Sequence, residues 1–408
     1  MGLASLSGIA TSVVSELLGS EETSVLKTTL KVVYTPPEDS TEEETEEEDD
    51  SLSLSDLSVS SLVESAVEAV ADWLGIETDI SDDINADLIS FTYTDNCDDE
   101  ADEIRFTLKD DEGKWCDSWR PDQGAKISAT ISTSDGSQLE ISSMMVDQQR
   151  FSGGSQGRTM EFTAVSIPLD ISIRRLRRTK SYETQTLEQI ADNIAMFHGL
   201  QLYFESDINP TYDRVDQKQQ TDADFLLKLC HDLGLSVKIT EETLVVYDQA
   251  SFEKKDATVS YERTGGKVLS YSFSGSQSQR YKSCTVTWRD IRKKTRKATA
   301  ETKEEFIEYT YTDESVEDSG QEYTFRHRCT SLAEAQRLAK AKLRELNLHQ
   351  TEGSLSVVGN PLVYAGCVLE LSDFGAADGK FLVERATHSI TSGGYVTSLE
   401  LRKINESY

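Results

Sequence analysis

Apolar and polar residues alternate with a period of two in ISFTYTD (residues 89–95) and again in DEIRFTL (residues 102–108), the signature of a half-buried antiparallel strand pair. The spacing predicts Ile89, Phe91 and Tyr93 on one face of the first strand and Ile104, Phe106 and Leu108 on the core face of the second. Glu103, Arg105, Thr107 and Lys109 then fall on the opposite face. Similar alternation marks residues 26–34, 127–131, 139–145 and 160–165, with turn signals at Ser134-Asp135-Gly136 and Ser152-Gly153-Gly154. Five or six such strands predict a small barrel or sandwich.

A different periodicity begins after the basic stretch Arg174 to Lys180. TLEQIADNIAMFHGL, starting at Thr186, and TDADFLLKLCHDLGL, starting at Thr221, are one pattern written twice with an offset of 35 residues. Ile190 corresponds to Phe225, Ile194 to Leu229, Ala195 to Cys230 and Gly199 to Gly234. Each copy offers a Thr N-cap, three apolar helical turns, a Gly suited to the left-handed C-terminal position, and a following strand. The expected product is one small α+β module of two helices over a short sheet, about residues 181–255.

Alternation returns in Leu269, Tyr271 and Phe273, in Cys284, Val286 and Trp288, and in Ile307, Tyr309 and Tyr311. Strands are also expected at residues 355–358, 368–371, 381–385 and 396–401. One helix intervenes, capped by Ser331, with Leu332, Ala335, Leu338, Ala339, Lys342 and Leu346 along a face. A second β domain decorated by a helix therefore closes the chain. The fold class expected is mainly β with an α+β insert.

Charge isolates another segment. The chain of 408 residues carries a formal net charge of -32, and residues 1–85 hold twenty-one Asp and Glu against Lys27 and Lys31. The run TPPEDSTEEETEEEDDSLSLSDLS, from Thr35, is too acidic and too poor in apolar residues to bury surface, so a solvated loop is expected there. Behind it Leu62, Ala66, Val67, Val70 and Leu74 recur at helical spacing before Gly75. Such a field argues against nucleic acid as a ligand, since there is no surplus of cations to release counterions. LASLSGIATSVVSELL near the N-terminus lacks a basic leader and is broken by serines, so neither a signal peptide nor a membrane span is expected.

Catalytic chemistry is thinly represented. The six cysteines lie far apart without a Cys-x-x-Cys pair, and read as reduced thiols. His198 and His231 fall at the ends of the repeat helices, where a polar ring suits the helix terminus, and His327, His349 and His388 stand apart from recognisable motifs. No catalytic, cofactor or metal residue is assigned. The capped Thr-Leu-x-x-Ile-Ala helix ending in Gly-Leu is similar to a LysM repeat, although Thr184-Gln185 replaces the usual Gly-Asp; it supports an alternative reading as a cell-wall (peptidoglycan) binding or degrading module. The loop GKWCDSWRPDQG, from Gly113, spends Trp115, Trp119 and Pro121 either on plugging a barrel end or on anchoring another subunit. Arg174, Arg175, Arg177 and Arg178 are either a solvated connector or material for ion pairs across subunits.

Taken in order, Leu-x-Ser-Phe-x-Tyr-x-Asp, Ala-Asp-Glu-Ile, Trp115 to Gly124, the IRRLRRTKSYE connector, the Ile-Ala helix ending in Gly-Leu and SLSVVGNPLVYAGCVLEL resemble the late control protein D family. These are central hub proteins of contractile phage tail baseplates. The resemblance implies two tail-tube-like β-barrel domains, at 26–180 and 256–408, flanking the module at 181–255. An N-terminal helical extension (1–25) and an acidic insert with one helix (35–83) depart from that pattern. It further implies a structural, non-enzymatic homotrimer whose pseudo-hexameric ring joins the tail tube, or a tube-initiator protein, to a trimeric tail spike, with baseplate wedge proteins and a tape measure protein as further contacts. Hub and spike are expected to be separate polypeptides. The implied location is the baseplate of a virion or tail-like bacteriocin assembled in the host cytoplasm.

Overall fold

The computed structural model describes residues 27–36, 78–97, 100–155, 157–166, 172–239, 243–275, 280–289, 306–314, 316, 321–329 and 331–405. The N-terminal extension, the expected helix over residues 62–74 and most of the acidic insert lie outside the described residues.

The first unit comprises β1 (Thr28–Thr35), β2 (Thr78–Asp79), α1 (Ser81–Asp87), β3 (Leu88–Asn96), β4 (Glu103–Lys109), β5 (Lys126–Thr133), β6 (Gln138–Gly154) and β7 (Gly157–Val165). Its strands lie in the order β2-β1-β5-β6-β7-β4-β3, each pair antiparallel. The alternating apolar residues meet inside, where Phe106 sits edge-on to Phe91 at 4.9 Å and stacks on Phe162 at 4.8 Å. All three rings are excluded from solvent, which stabilises the fold by about 2–3 kcal/mol per ring. One expected inward residue is corrected: Ile89 is 44% exposed. The β3–β4 register shifts between Leu88 and Ser90, and that bulge carries Leu88 to the core in place of Ile89.

Helix α1 is a single short turn system with one fully buried apolar residue, Ile84, so periodicity alone does not reveal it. It shields the edge of β1. Val32 N–H donates to Ser81 Oγ at 2.8 Å, Ile80 N–H donates to the Val32 carbonyl at 3.1 Å, and Asn85 Nδ2 donates to the Leu30 carbonyl at 2.9 Å.

The repeat builds β8 (Arg177–Thr186), α2 (Leu187–Phe197), β9 (Gln201–Glu205), β10 (Thr211–Thr221), α3 (Asp222–His231), β11 (Ser236–Ile239), β12 (Thr243–Tyr247) and the short α4 (Gln249–Glu253). Each copy is strand, helix, strand. Thr186 Oγ1 accepts from Gln189 N–H at 3.2 Å and Thr221 Oγ1 from Asp224 N–H at 3.1 Å. Gly199 and Gly234 take φ of 71° and 75°, so that Leu200 N–H reaches the Ala195 carbonyl and Leu235 N–H the Cys230 carbonyl, both at 2.9 Å. Thr184 and Gln219, also 35 residues apart, share φ of 52° and 51°. The duplication therefore extends to backbone that has no lettering in common. Strands β8 and β10 form a ribbon, while β11-β12-β9 form a second sheet in which β12 and β9 run parallel. Both copies share one core.

The C-terminal unit contains β13 (Val259–Glu262), β14 (Val268–Gly275), β15 (Ser283–Arg289), β16 (Phe306–Thr312), β17 (Glu322–Arg326), α5 (Leu332–Asn347), β18 (Thr351–Val358), β19 (Val368–Ser372), β20 (Gly379–Thr391) and β21 (Gly394–Lys403). Strands β14-β18-β21-β20 are antiparallel neighbours. The other edge of β20 takes β19 over Gly379 to Leu382 and then β3 over Arg385 to Thr391. Through β3 and β20 the first and last units merge into one 13-stranded sheet. Strands β15, β16 and β17 instead form a separate three-stranded sheet, with Trp288 and Val286 packed on Ala335, Leu338 and Ala339 of α5. Overall the chain is mainly β.

Candidate assembly interface

At the end of β4, Gly113 (φ 83°) turns the chain into a 3-10 segment at Lys114–Cys116. Trp115 is thereby thrown inward. Its backbone N–H donates to Asp110 Oδ1 at 2.9 Å and its indole Nε1 to Asp87 Oδ2 at 2.8 Å, and the ring belongs to the first core. Lys114 Nζ meets the same Asp87 oxygen at 2.7 Å. Burial pushes the Asp87 carboxyl up, but the hydrogen bonds from Lys114 and Trp115 outweigh it and hold the group below the usual carboxylate range. Trp119 is different. Its ring stands perpendicular to Trp115 at 5.5 Å, the Lys114 ammonium lies 4.4 Å from its centroid, and 42% of the residue stays exposed. Pro121 is buried, its carbonyl accepting from Gln149 Nε2. Of the three aromatic-loop residues, one plugs the core, one is locked beside it, and one indole is offered to the surface.

The arginine connector divides in the same way. Ile173 is fully buried in the module core, which leaves Arg174, Arg175 and Arg177 exposed at its flank. Among the described residues these three make no ion pair. Arg178 is spent internally: its Nη2 lies 2.6 Å from Asp222 Oδ2, its Nε donates to Asp222 Oδ1 at 3.0 Å, and its guanidinium sits 3.9 Å from the centre of the Phe197 ring. Asp222, excluded from solvent in the first turn of α3, also accepts from Gln217 Nε2 at 2.7 Å and meets His198 Nε2 at 2.7 Å. His198 does occupy the C-cap of α2, but its ring turns inward to that carboxylate rather than to solvent. The repeat held a clue to this cluster, because Asp222 stands where the first copy has Leu187.

A second buried cluster ties all three units together, and the sequence patterns did not point to it. Lys238, on β11 of the module, lies 3.1 Å from Asp95 Oδ1, 3.1 Å from Asp102 Oδ2 and 2.8 Å from the Asn96 carbonyl of the first unit. Asp95 Oδ2 accepts from Ala365 N–H of the C-terminal unit at 2.8 Å, and Asp102 Oδ1 from Asn96 N–H at 2.9 Å. Burial pushes the Asp102 carboxyl up to about 6 against the pull of Lys238, with the negative charge of Asp95 adding to the rise. Beside it, Tyr247 Oη donates to the Cys97 carbonyl at 2.8 Å, within an apolar cluster containing Val368 and Leu382.

His327 Nε2 lies 3.5 Å from Asp232 Oδ2 and His349 Nδ1 2.9 Å from Glu352 Oε1. His388 on β20 is fully buried. Its Nε2 lies 3.0 Å from the Val363 carbonyl, which can only accept, so Nε2 carries the proton and Nδ1 accepts from Tyr395 Oη at 2.7 Å. Burial depresses its pKa to about 4. Among the described residues no group of three or more His, Cys, Asp and Glu could hold a metal ion, and no helix is long and apolar enough to cross a membrane. The six cysteines are free, and burial pushes the Cys284, Cys329 and Cys367 thiols up to about 11.

A family model described as phage tail baseplate hub (GPD) matches residues 121–394. No curated protein matches the chain. The tail protein of Neisseria meningitidis MC58 is similar in structure with a TM-score of 0.60 at 16% identity, over 81% of this chain and 94% of that one. The 43 kDa tail protein of prophage MuSo2 from Shewanella oneidensis gives 0.57 at 17% identity, over 77% and 93%. Prophage tail protein gp18 of Listeria monocytogenes EGD-e gives 0.52 at 17% identity, over 82% and 93%. At such identities the likeness is one of fold. The family match is what decides membership, since it runs from Pro121 through the connector, the repeat module and the strands that close on β3, and the chain belongs to the phage tail baseplate hub family.

Proposed function

We propose that the chain is the structural hub of a contractile phage tail or tail-like bacteriocin, acting as a homotrimer at the junction between the hexameric tail tube and a trimeric spike. The observation that carries this reading is the double construction of its sheet. Each chain has two largely antiparallel units with separate cores, joined edge to edge through β3 and β20, the one parallel pair among the described strands of this sheet being β13 with β19. Two tube-like units per chain, one from residues 26–180 and one from 256–408, become six around a three-fold axis, and closed cyclic symmetry is the usual outcome for soluble oligomers. A three-fold object then presents six similar units on one face to a tube or tube-initiator protein and three on the other to a spike. Wedge proteins and a tape measure protein are the further contacts of this reading, and the virion baseplate, assembled in the host cytoplasm, is its location.

Trp119, Arg174, Arg175 and Arg177 are the surface groups proposed to contact neighbouring copies. An exposed indole gives a large, rigid contact, and exposed guanidiniums on an acidic chain have carboxylates to meet on the next copy. Trp115, Pro121 and Arg178 support them from behind. Light scattering coupled to size exclusion tests the trimer: with 45.5 kDa per chain, a particle of about 136 kDa is expected. A monodisperse monomer at tens of micromolar, with the spike protein also present, overturns it.

A further inference from the structure

The first and last units follow one plan down to single residues. Strands β3, β4, β5, β6 and β7 correspond in chain order to β14, β18, β19, β20 and β21, and both sets lie in the same spatial order, β3-β4-β7-β6-β5 and β14-β18-β21-β20-β19. The bulge between Leu88 and Ser90 recurs between Val268 and Ser270, and the bulge between Val146 and Gln148 recurs between Val383 and Arg385. The β6–β7 hairpin closes at Gly154 and Gly157, the β20–β21 hairpin at Thr391 and Gly394. The glycines that lead into β5 and β19 agree as well: Gly124 N–H (φ 86°) donates to the Val146 carbonyl at 3.1 Å and Gly366 N–H (φ 87°) to the Val383 carbonyl at 2.8 Å. With these anchors Phe91 of β3 corresponds to Tyr271 of β14, and His388 of β20 to Phe151 of β6.

Within the chain, β3 pairs antiparallel with β20 beyond the point where β19 leaves its edge. The reciprocal edges have the same construction, with no described strand against either. Strand β14 ends the sheet, and β6 has lost β5 by Met145, so that its far half, Gln148 to Gly154, is paired with β7 alone. Exposure marks the difference. Phe91 and His388, on the two sides of the intrachain joint, are fully buried, whereas their counterparts Tyr271 and Phe151 are 49% and 45% exposed. An open strand edge flanked by exposed aromatic rings is suited to the addition of another strand.

We infer that the edge of β14 pairs antiparallel with the far half of β6 of a second copy of this chain, in the register by which β3 holds β20. Within the chain Ser90 faces Thr391, Thr92 faces Ser389 and Tyr93 faces His388. Across copies Ser270 then faces Gly154, Ser272 faces Ser152 and Phe273 faces Phe151. Backbone hydrogen bonds make the join, and Phe151 gains Phe273 and Tyr271 as neighbours, much as His388 stacks on Tyr93 at 6.0 Å. Each copy offers one edge and receives one, a head-to-tail contact that either closes into a ring or runs on as a filament. The inference rests on the hub reading for the number three alone.

The test places cysteines at the facing pair, Ser152→Cys with Ser272→Cys, both exposed, in the full chain. After mild copper-phenanthroline oxidation and electrophoresis without reductant, a covalent band of three chains is expected. Each single substitution, which retains the exposed native Cys116, serves as the background. Ser152→Cys with Ser274→Cys is displaced by two residues, roughly 7–8 Å away, and should cross-link about tenfold more slowly. Phe151→Glu reads the same joint without cysteines, and should raise the concentration for half-assembly by about tenfold or more. A trimer by light scattering that forms no cross-link overturns the joint and leaves the trimer standing. Covalent assemblies of another size keep the joint and overturn the number three, and a monomer without cross-links overturns both. If the cysteine variant does not fold, unchanged assembly of Phe151→Glu overturns the joint.

Discussion

Replacing Lys238 by methionine probes the joint on which all three units depend. The ammonium stands between two carboxylates whose side chains are only 10% and 8% exposed, so its removal leaves Asp95 and Asp102 close together in a poorly solvated space. Each keeps one backbone donor, from Ala365 and from Asn96 respectively, which is too little to replace a cation. Breaking a buried ion pair on one side costs about 3–5 kcal/mol, and the upper part of that range applies here because two charges are orphaned. The loss should depend on pH. Asp102 already titrates near 6 with Lys238 present, and without the cation its pKa rises further, so protonation relieves the repulsion as the solution is acidified. Calorimetric melting at about pH 7.5 and about pH 5 should therefore show a larger destabilisation of Lys238→Met at the higher pH. Asp102→Asn added to that variant should recover most of it and remove the pH dependence. A loss below about 1 kcal/mol, or one equal at both pH values, would refute the electrostatic account and leave Lys238 as packing only.

Three further outcomes are expected. Trp115→Ala should lower the stability of the isolated chain by about 3–5 kcal/mol through a core cavity and the loss of one of the two side-chain donors to Asp87, whereas Trp119→Ala should leave the melt nearly unchanged and impair only assembly; equal melting losses would show that the two indoles act as one plug. For His388 the unfolded chain takes up its proton near the ordinary value of 6.5 and the folded chain only near 4, so its contribution is complete above that ordinary value and declines as pH falls through the window, by about 1.4 kcal/mol per unit. His388→Gln should flatten that slope relative to the native chain, isolating it from Asp102, whose raised pKa acts in the opposite direction; an unaltered slope would place the dependence elsewhere. Because Val33 pairs with Asp79 and Tyr34 with Thr78, residues 36–77 connect strands that a tight turn can join. Replacing them by a short Gly-containing turn should give a folded chain shifted by about 1–3 kcal/mol, as loop closure predicts, and an aggregating product would make the insert part of the core.

Much of this architecture is legible wherever a strand buries one face. Strands β4, β5 and β7 emerge from alternation alone, because Ile104, Phe106, Ile127, Ile131 and Phe162 have nowhere to go but inward. The repeat helices and their caps were equally plain. Strands β8 and β10 were not, since a two-stranded ribbon exposed on both faces leaves few apolar positions to alternate, and Tyr182 is the only fully inward residue of β8. Separation of β15, β16 and β17 from the main sheet was hidden for another reason: alternation says that a strand is half buried, not against what. The assembly residues were legible by type, but only geometry divides Trp119 from Trp115 and the three exposed arginines from Arg178. Buried charge was the least legible, as Lys238 in SVKI reads like any solvated strand residue until Asp95 arrives from 143 positions away, with Asp102 beside it.

The pairing of β3 with β20 sets a timetable for synthesis. As the chain leaves the ribosome, β3 can form its hairpin with β4 at once, yet the strand that covers its other side is translated about 280 residues later. At ~5–20 residues per second, that edge stays uncovered for roughly 15–60 s in every nascent molecule. An open strand edge invites pairing with another growing chain on the same message. The outward positions of β3 that await β20 include Ser90, Thr92 and Thr94, polar residues that keep the waiting edge wettable, while of the inward rings Phe91 already has Phe106 of β4 to pack on and Tyr93 waits for His388 of β20. Expression at reduced temperature slows translation and prolongs the wait, so the yield of soluble protein should turn less on final stability than on how well this one strand is chaperoned before its partner exists.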